Sequence, residues 1–430
     1  MKFSLRHQSD GIIYPYITKS GHLMMRGFLR KIYVHNCLNV PTDQPVLLAA
    51  NHPTAFVDPC LLCTFIDAPL YNMTRGDVFR KPFYRKLMES INMFPVFRHR
   101  DGYTNRGRND EVFEFCRRKL ADHRVVTIYV EGEHHLEKRV RPIQKGIIRI
   151  AFGTYAVQPN PQLQIIPAGC NYVFGDRPRD EAMVNIGTPL YVRDYWEEYL
   201  SDPNAAAARL SADIEKGLKQ VCFHVEDPKD DVLAEHLLTL LRSDHPYALV
   251  PIVVYDNRRF LAEKAVCNRI NDMPLETKIQ LKHQTARYFA ALAENDLSDE
   301  ALRQPQRGAW HRLALFGLFL LPFLLGYLSS WPVIGLSKYV AKKTVKKREF
   351  YSSVRMGVAH LGGMLYYSLI FLASLFSWNP WCIALALALP ALGWFSMFYR
   401  ENWARWSAAR RAIRHPKRSE LLEMRSAIRY

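Results

Sequence analysis

The chain has 430 residues, 49% of them hydrophobic, and 58 Lys and Arg against 41 Asp and Glu give it a formal net charge of +17. That length allows two or three domains, each with its own core. A nucleic-acid partner is disfavoured by where the charge lies: residues 307–430 hold 18 basic against 4 acidic residues (net +14), while residues 1–306 hold 40 against 37 (net +3). A basic excess flanking long apolar runs is the pattern of membrane anchoring, not of a nucleic-acid groove.

Residues 1–30 read as an N-terminal amphipathic segment, and the first eleven contain no apolar h-region, so no cleaved secretory signal is expected. Residues 31–193 alternate apolar runs and amphipathic stretches, the pattern of an α/β layer fold. Strands are predicted at 31–37, 45–50, 93–98, 125–130 and 163–168, and helices at 57–65, 80–89, 110–122 and 143–156. Several of the strands are continuous apolar runs, as expected where both faces of a sheet are covered. Residues 194–306 turn helical and polar, with helical apolar spacing at 205–219 and 275–293. They carry no chemical motif and are read as a helical subdomain beside the α/β core, with a cover over an acyl chain as the sharper alternative.

Residues 307–430 contain three apolar stretches, 313–336, 356–378 and 381–398, each near the ~20 residues that cross a bilayer. The loop 337–351 contains Lys338, Lys342, Lys343, Lys346, Lys347 and Arg348, and the tail beyond 399 is rich in Arg. Both are expected to stay cytoplasmic, which makes 377–381 an outer turn. A cytoplasmic α/β domain then requires the first stretch to enter and return on one side, with Pro322 and Pro332 as the interruptions. The eight cysteines are scattered except for Cys60 and Cys63, which sit in an apolar run and read as ordinary buried thiols in a reducing compartment.

The strongest local signal is Asn51-His52-Pro53-Thr54-Ala55-Phe56-Val57-Asp58, placed between an apolar strand and an apolar helix. Open α/β sheets put their sites at such strand ends. A His near a carboxylate is a base and its orienter, and no Ser or Cys nucleophile is needed if the substrate brings its own hydroxyl. About forty residues on, Phe94-Pro95-Val96-Phe97-Arg98-His99-Arg100 ends a strand in two Arg suited to phosphate. The strand 125–130 then runs into Glu131-Gly132-Glu133-His134-His135, with Lys145-Gly146 downstream. His134 and His135 match no zinc spacing, so no metal is expected. Ile165-Ile166-Pro167-Ala168-Gly169 is an apolar strand ended by Gly.

In order and spacing these four blocks resemble the glycerophospholipid acyltransferase superfamily over residues 30–190. The E-G-x-x-H form and the hydrophobic tail look most like a bacterial branch related to fungal glycerol-3-phosphate acyltransferases. The resemblance implies a mixed, mostly parallel sheet flanked by helices, followed by the helical subdomain and C-terminal membrane helices. It implies His52 as the general base, oriented by Asp58, and Arg98 with Arg100 on the acceptor phosphate. Glu131 and Gly132 would shape the acceptor site, Lys145 would add an anion contact, and Ile166 and Pro167 would line the cleft. No cofactor is implied; acyl-CoA or acyl-carrier protein is the co-substrate, membrane lipids are partners, and the cytoplasmic face of a bacterial inner membrane is the location.

Two features depart from that family. His52 and Asp58 have five residues between them, not four. In a regular helix six positions span ~9 Å and lie on largely opposite faces, so the pair meets only if 53–55 form a turn. The third block also lacks the Pro before Glu131 and carries an extra carboxylate, Glu133, which bears on acceptor identity. The expected reaction is acylation of lysophosphatidic acid to phosphatidic acid. The alternatives are glycerol 3-phosphate or another lysolipid as acceptor, and, in another class, a non-catalytic membrane lipid-binding protein.

Overall fold

The computed structural model describes residues 13–76, 79, 81–96, 106–246, 248–303 and 309–429. Chain contacts divide it into two compact units, one of residues 1–175, 179–224 and 250–264, the other of 176–178, 225–249 and 265–430.

The first unit is built on one mixed sheet. In chain order it contains helix α1 (Tyr14–Phe28), strands β1 (Lys31–His35) and β2 (Val46–Ala50), α2 (Val57–Phe65), β3 (Leu70–Arg75), α3 (Pro82–Glu89), β4 (Met93–Val96), α4 (Arg106–Ala121), β5 (Val125–Tyr129), α5 (Gly146–Val157), β6 (Gln164–Tyr172), β7 (Glu181–Ile186) and β8 (Leu190–Tyr191). Helices α6 (Trp196–Ser201) and α7 (Pro203–Val221) and the short β9 (Val253–Val254) complete it. The strand order is β4-β3-β5-β2-β6-β7-β1-β9, with β8 beside β6. The run β4-β3-β5-β2-β6 is parallel throughout, and β7 reverses direction against β6.

β2 lies at the centre, and all five of its residues are buried. Leu47 and Ala49 join the apolar cluster formed with α4, α5 and α7. Val46, Leu48 and Ala50 project to the other face, because successive strand side chains alternate. Coverage on both faces explains the uninterrupted apolar run.

The predicted helix 57–65 is found with those bounds, and the other predicted elements shift by a few residues. Strand β6 runs four residues past the predicted end at 168. β3, β7, β8 and β9 were not read from the sequence. The strand predicted at 93–98 is described as far as Val96; its last two residues lie outside the described set.

The second unit contains α8 (Asp231–Asp244), α10 (Leu275–Glu294), α11 (Asp299–Arg303), α12 (Ala309–Leu318), α13 (Leu320–Thr344), α14 (Tyr351–Leu375), α15 (Pro380–Arg414) and α16 (Arg418–Ala427); α9 (Arg258–Asp272) belongs to both units. Among the described residues, three helices are long and apolar enough to cross a membrane: Leu320–Thr344, Arg348–Leu375 and Pro380–Arg414. Their side chains are arranged inside out. Gly326, Ser330, Gly363, Gly393 and Ser396 are buried between helices, while Leu325, Leu328, Leu365, Leu369 and Leu387 face outward. A Cβ at Gly326 would overlap the backbone carbonyl of Leu392, and the Ser330 hydroxyl lies 2.9 Å from the Tyr367 hydroxyl. Close backbone approach through small residues, with polar groups bonded between helices, is how helices associate in lipid. At one end of this unit Arg405 pairs with Glu300 at 3.1 Å, and Arg425 with Asp244 at 2.7 Å and Asp299 at 3.1 Å. The tail and the polar helices α8 and α11 therefore share that end.

The interruption expected at Pro322 falls earlier, at Phe319 between α12 and α13. Pro322 sits in the first turn of α13, where a missing N–H costs nothing. Pro332 lies inside the helix.

Candidate active site

β5, β2 and β6 are neighbours in register, with Ala50 opposite Tyr129 on one side and Ala168 on the other. Residues just beyond these three ends are therefore brought together. Asn51 fastens β2 to β6: its Nδ2 donates to the Cys170 carbonyl at 3.0 Å and its Oδ1 accepts from the Cys170 N–H at 2.7 Å. The His135 N–H donates to the His52 carbonyl at 3.3 Å, closing the loop after β5 onto the one after β2.

His52 Nδ1 lies 2.9 Å from Asp58 Oδ2. The extra residue between them is absorbed in a bend and turn at 53–56, before α2 begins at Val57. Asp58 thus falls in the first turn of α2, where a negative charge is favoured by the helix dipole. Its carboxylate is fully buried and has further donors. The Thr54 N–H donates to Oδ2 at 2.8 Å, and the hydroxyls of Thr54 and Tyr172 both donate to Oδ1 at 2.8 Å. Burial, and then the Asp58 charge, push the Tyr172 phenol well above its usual range, so it stays protonated and donates.

The His52 side chain is 8% exposed. Its face stacks on Tyr129, with centroids 3.8 Å apart, and His134 meets it edge-on at 4.1 Å. With Nδ1–H directed to Asp58, Nε2 is the nitrogen that can take a proton from a substrate.

Glu131 is buried beside this pair and accepts from the Arg141 N–H at 3.3 Å. Burial raises its carboxyl to about 7, against the lowering influence of the Arg141 amide and guanidinium and the His52 backbone; the Asp58 charge adds to the rise. Gly132 has φ +73°, a conformation costly for other residues, and this turns the chain sharply after β5. Asn51, Pro53, Glu131, Lys138, Arg139 and Tyr172 are among the residues lining a cavity at this end of the sheet.

The hydrogen bonds around His52 do not include Lys145, which is exposed at the start of α5. Pro167 points at α7, where its ring meets Gly217. Ile166 is buried in the sheet. Arg98 and Arg100 lie outside the described residues. Cys60 and Cys63 are unbridged on α2. Among the described residues no three His, Cys, Asp or Glu side chains gather as a metal site. Thr54, Tyr129, His134 and Tyr172 were not singled out from the sequence for the parts they play around His52.

A histidine backed by a buried aspartate at the carboxyl end of a central parallel strand defines a domain equipped to activate a hydroxyl. Residues 31–171 match the family model described as Acyltransferase. The chain thus carries a match to that family over about a third of its length. It is similar to glycerol-3-phosphate O-acyltransferase 2 of Saccharomyces cerevisiae, 26% identical over 160 residues, 37% of this chain and 22% of that protein. Glycerol-3-phosphate O-acyltransferase 1 of the same yeast is 24% identical over 248 residues, 55% of this chain and 32% of that protein. The chain thus spans about a fifth to a third of the length of these relatives. A solved 1-acyl-sn-glycerophosphate acyltransferase of Thermotoga maritima aligns over 48% of this chain and 79% of its own, with 15% identity and a TM-score of 0.37.

Proposed function

We propose that the chain transfers a fatty acyl group from an acyl thioester, carried by CoA or acyl-carrier protein, to a hydroxyl of a phosphate-bearing glycerol acceptor. The observation that carries this reading is the His52–Asp58 pair, which directs Nδ1 to the carboxylate and leaves Nε2 for substrate. In the reaction Nε2 takes the hydroxyl proton as the oxygen attacks the thioester carbonyl. Asp58 stabilises the imidazolium. The tetrahedral intermediate then expels the thiolate, which recovers the proton from His52.

Lysophosphatidic acid is the acceptor we place first, since the three apolar helices suit a substrate drawn from a bilayer. Glycerol 3-phosphate is the second reading, favoured by the names of the yeast relatives. Arg98 and Arg100 are proposed for the acceptor phosphate, and Glu131 with Gly132 for the wall of the acceptor site. The basic loop and tail are proposed to lie at the cytoplasmic face, in keeping with their charge. Purified protein with labelled acyl-CoA and a panel of glycerol 3-phosphate, lysophosphatidic acid and other lysolipids tests the assignment. Acylation of lysophosphatidic acid ahead of the others supports it. Bound lipid with no turnover on any acceptor would replace it with a lipid-binding role.

A further inference from the structure

We propose that Tyr172, together with Thr54, is a positioning residue for the general base, fixing the rotation and the charge of the Asp58 carboxylate that backs His52. The proposal rests on reading His52 as the base. A carboxylate offers about four lone-pair positions, and Asp58 fills them in a fixed pattern. Oδ1 accepts from the Tyr172 and Thr54 hydroxyls, and Oδ2 from the Thr54 N–H and from His52. The group is fully buried, so it cannot exchange these partners for bulk solvent. Rotating it would strain all four bonds together.

The two hydroxyls also share the negative charge, so less of it acts on the imidazolium formed during the reaction. They come from separate places: Thr54 from the turn that absorbs the extra residue, and Tyr172 from the last position of β6. Without the Tyr172 hydroxyl, Oδ1 keeps one donor and the carboxylate attracts the imidazolium more strongly. The acid limb of kcat/KM should then move to higher pH.

Several other groups face this centre and must be separated from that effect. Tyr129 comes from β5, Glu131, His134 and His135 from the loop after it, and Cys170 from β6; Cys60 and Cys63 lie on α2, the helix of Asp58 itself. Burial raises the Glu131 carboxyl to about 7, so its Gln variant is part of the test.

The experiment is the pH profile of kcat/KM for the full chain and for Tyr172→Phe, Thr54→Ala, Thr54→Ser and Glu131→Gln. Losing one hydrogen bond to a charged group should move the acid limb up by about one pH unit in Tyr172→Phe and Thr54→Ala. The acyl-donor KM should stay unchanged, and Thr54→Ser should restore the limb. A limb unmoved in both variants, or moved only in Glu131→Gln, overturns the proposal. If Tyr172→Phe does not fold, the Thr54→Ala and Thr54→Ser pair decides alone. An active His52→Ala would instead remove the base reading beneath it, a distinguishable failure.

Discussion

His52 Nδ1 and Asp58 Oδ2 stand 2.9 Å apart although six positions separate them in the chain. The turn at 53–56 makes the contact, and the buried carboxylate fixes which ring nitrogen carries hydrogen. Asp58→Asn keeps the size of the side chain but can no longer hold the ring in that state or stabilise an imidazolium. It should lower kcat by roughly 10²- to 10⁴-fold, and also lower Tm because the amide cannot accept from all four donors. Steady-state kinetics beside a thermal melt checks this, and unchanged kcat would remove Asp58 from the mechanism.

Glu131 predicts a pH dependence of stability. Its carboxyl sits at about 7 in the fold against an ordinary 4.5, so the folded chain holds the proton more tightly than the unfolded one. The group favours folding fully below about pH 4.5 and progressively less as pH rises to 7. Above that, ionisation costs up to ~3 kcal/mol. Glu131→Gln should therefore raise Tm relative to the parent at pH 8 and not at pH 4. Parallel Tm curves for the two proteins would show that the carboxyl is not buried as described.

Gly169 predicts a packing limit. A Cβ there would overlap the carbonyl of Val221, a backbone atom at the end of α7 that cannot swing aside. Gly169→Ala should destabilise the domain by about 1–3 kcal/mol through this overlap. Thermal denaturation measures it, and a neutral substitution would mean that α7 is free to shift.

The membrane arrangement is testable with cysteines. Native Cys382 is exposed beside the turn at 377–379, and the loop after Thr344 carries the basic cluster. In sealed cells an impermeant thiol reagent should label Cys382 and leave a cysteine placed at Thr344 unmodified. Labelling of position 344 from outside would reverse the orientation.

The strand ends that carry His52 and Glu131 were legible because polar residues there interrupt otherwise apolar runs. Tyr172 was not. Its partner Asp58 is 114 residues away, and Gly169 made β6 look finished at 168. The residues beyond Gly169 stay inside because Asn171 pairs with the Val221 carbonyl and the Phe223 N–H, a long-range match that no local pattern signals. β3 was hidden in the same way by Asn72, buried against Cys63. The spacing of His52 and Asp58 looked unfavourable because the turn between them cannot be told from a first turn of helix by periodicity alone.

The most direct test of the account is transfer of a labelled acyl group from acyl-CoA to lysophosphatidic acid by the parent protein and by His52→Ala in the same lipid bilayer. The parent should turn over, and the variant should fold with the same Tm and lose activity by at least about a hundredfold. Undiminished turnover in His52→Ala would contradict the assignment of His52 as the base.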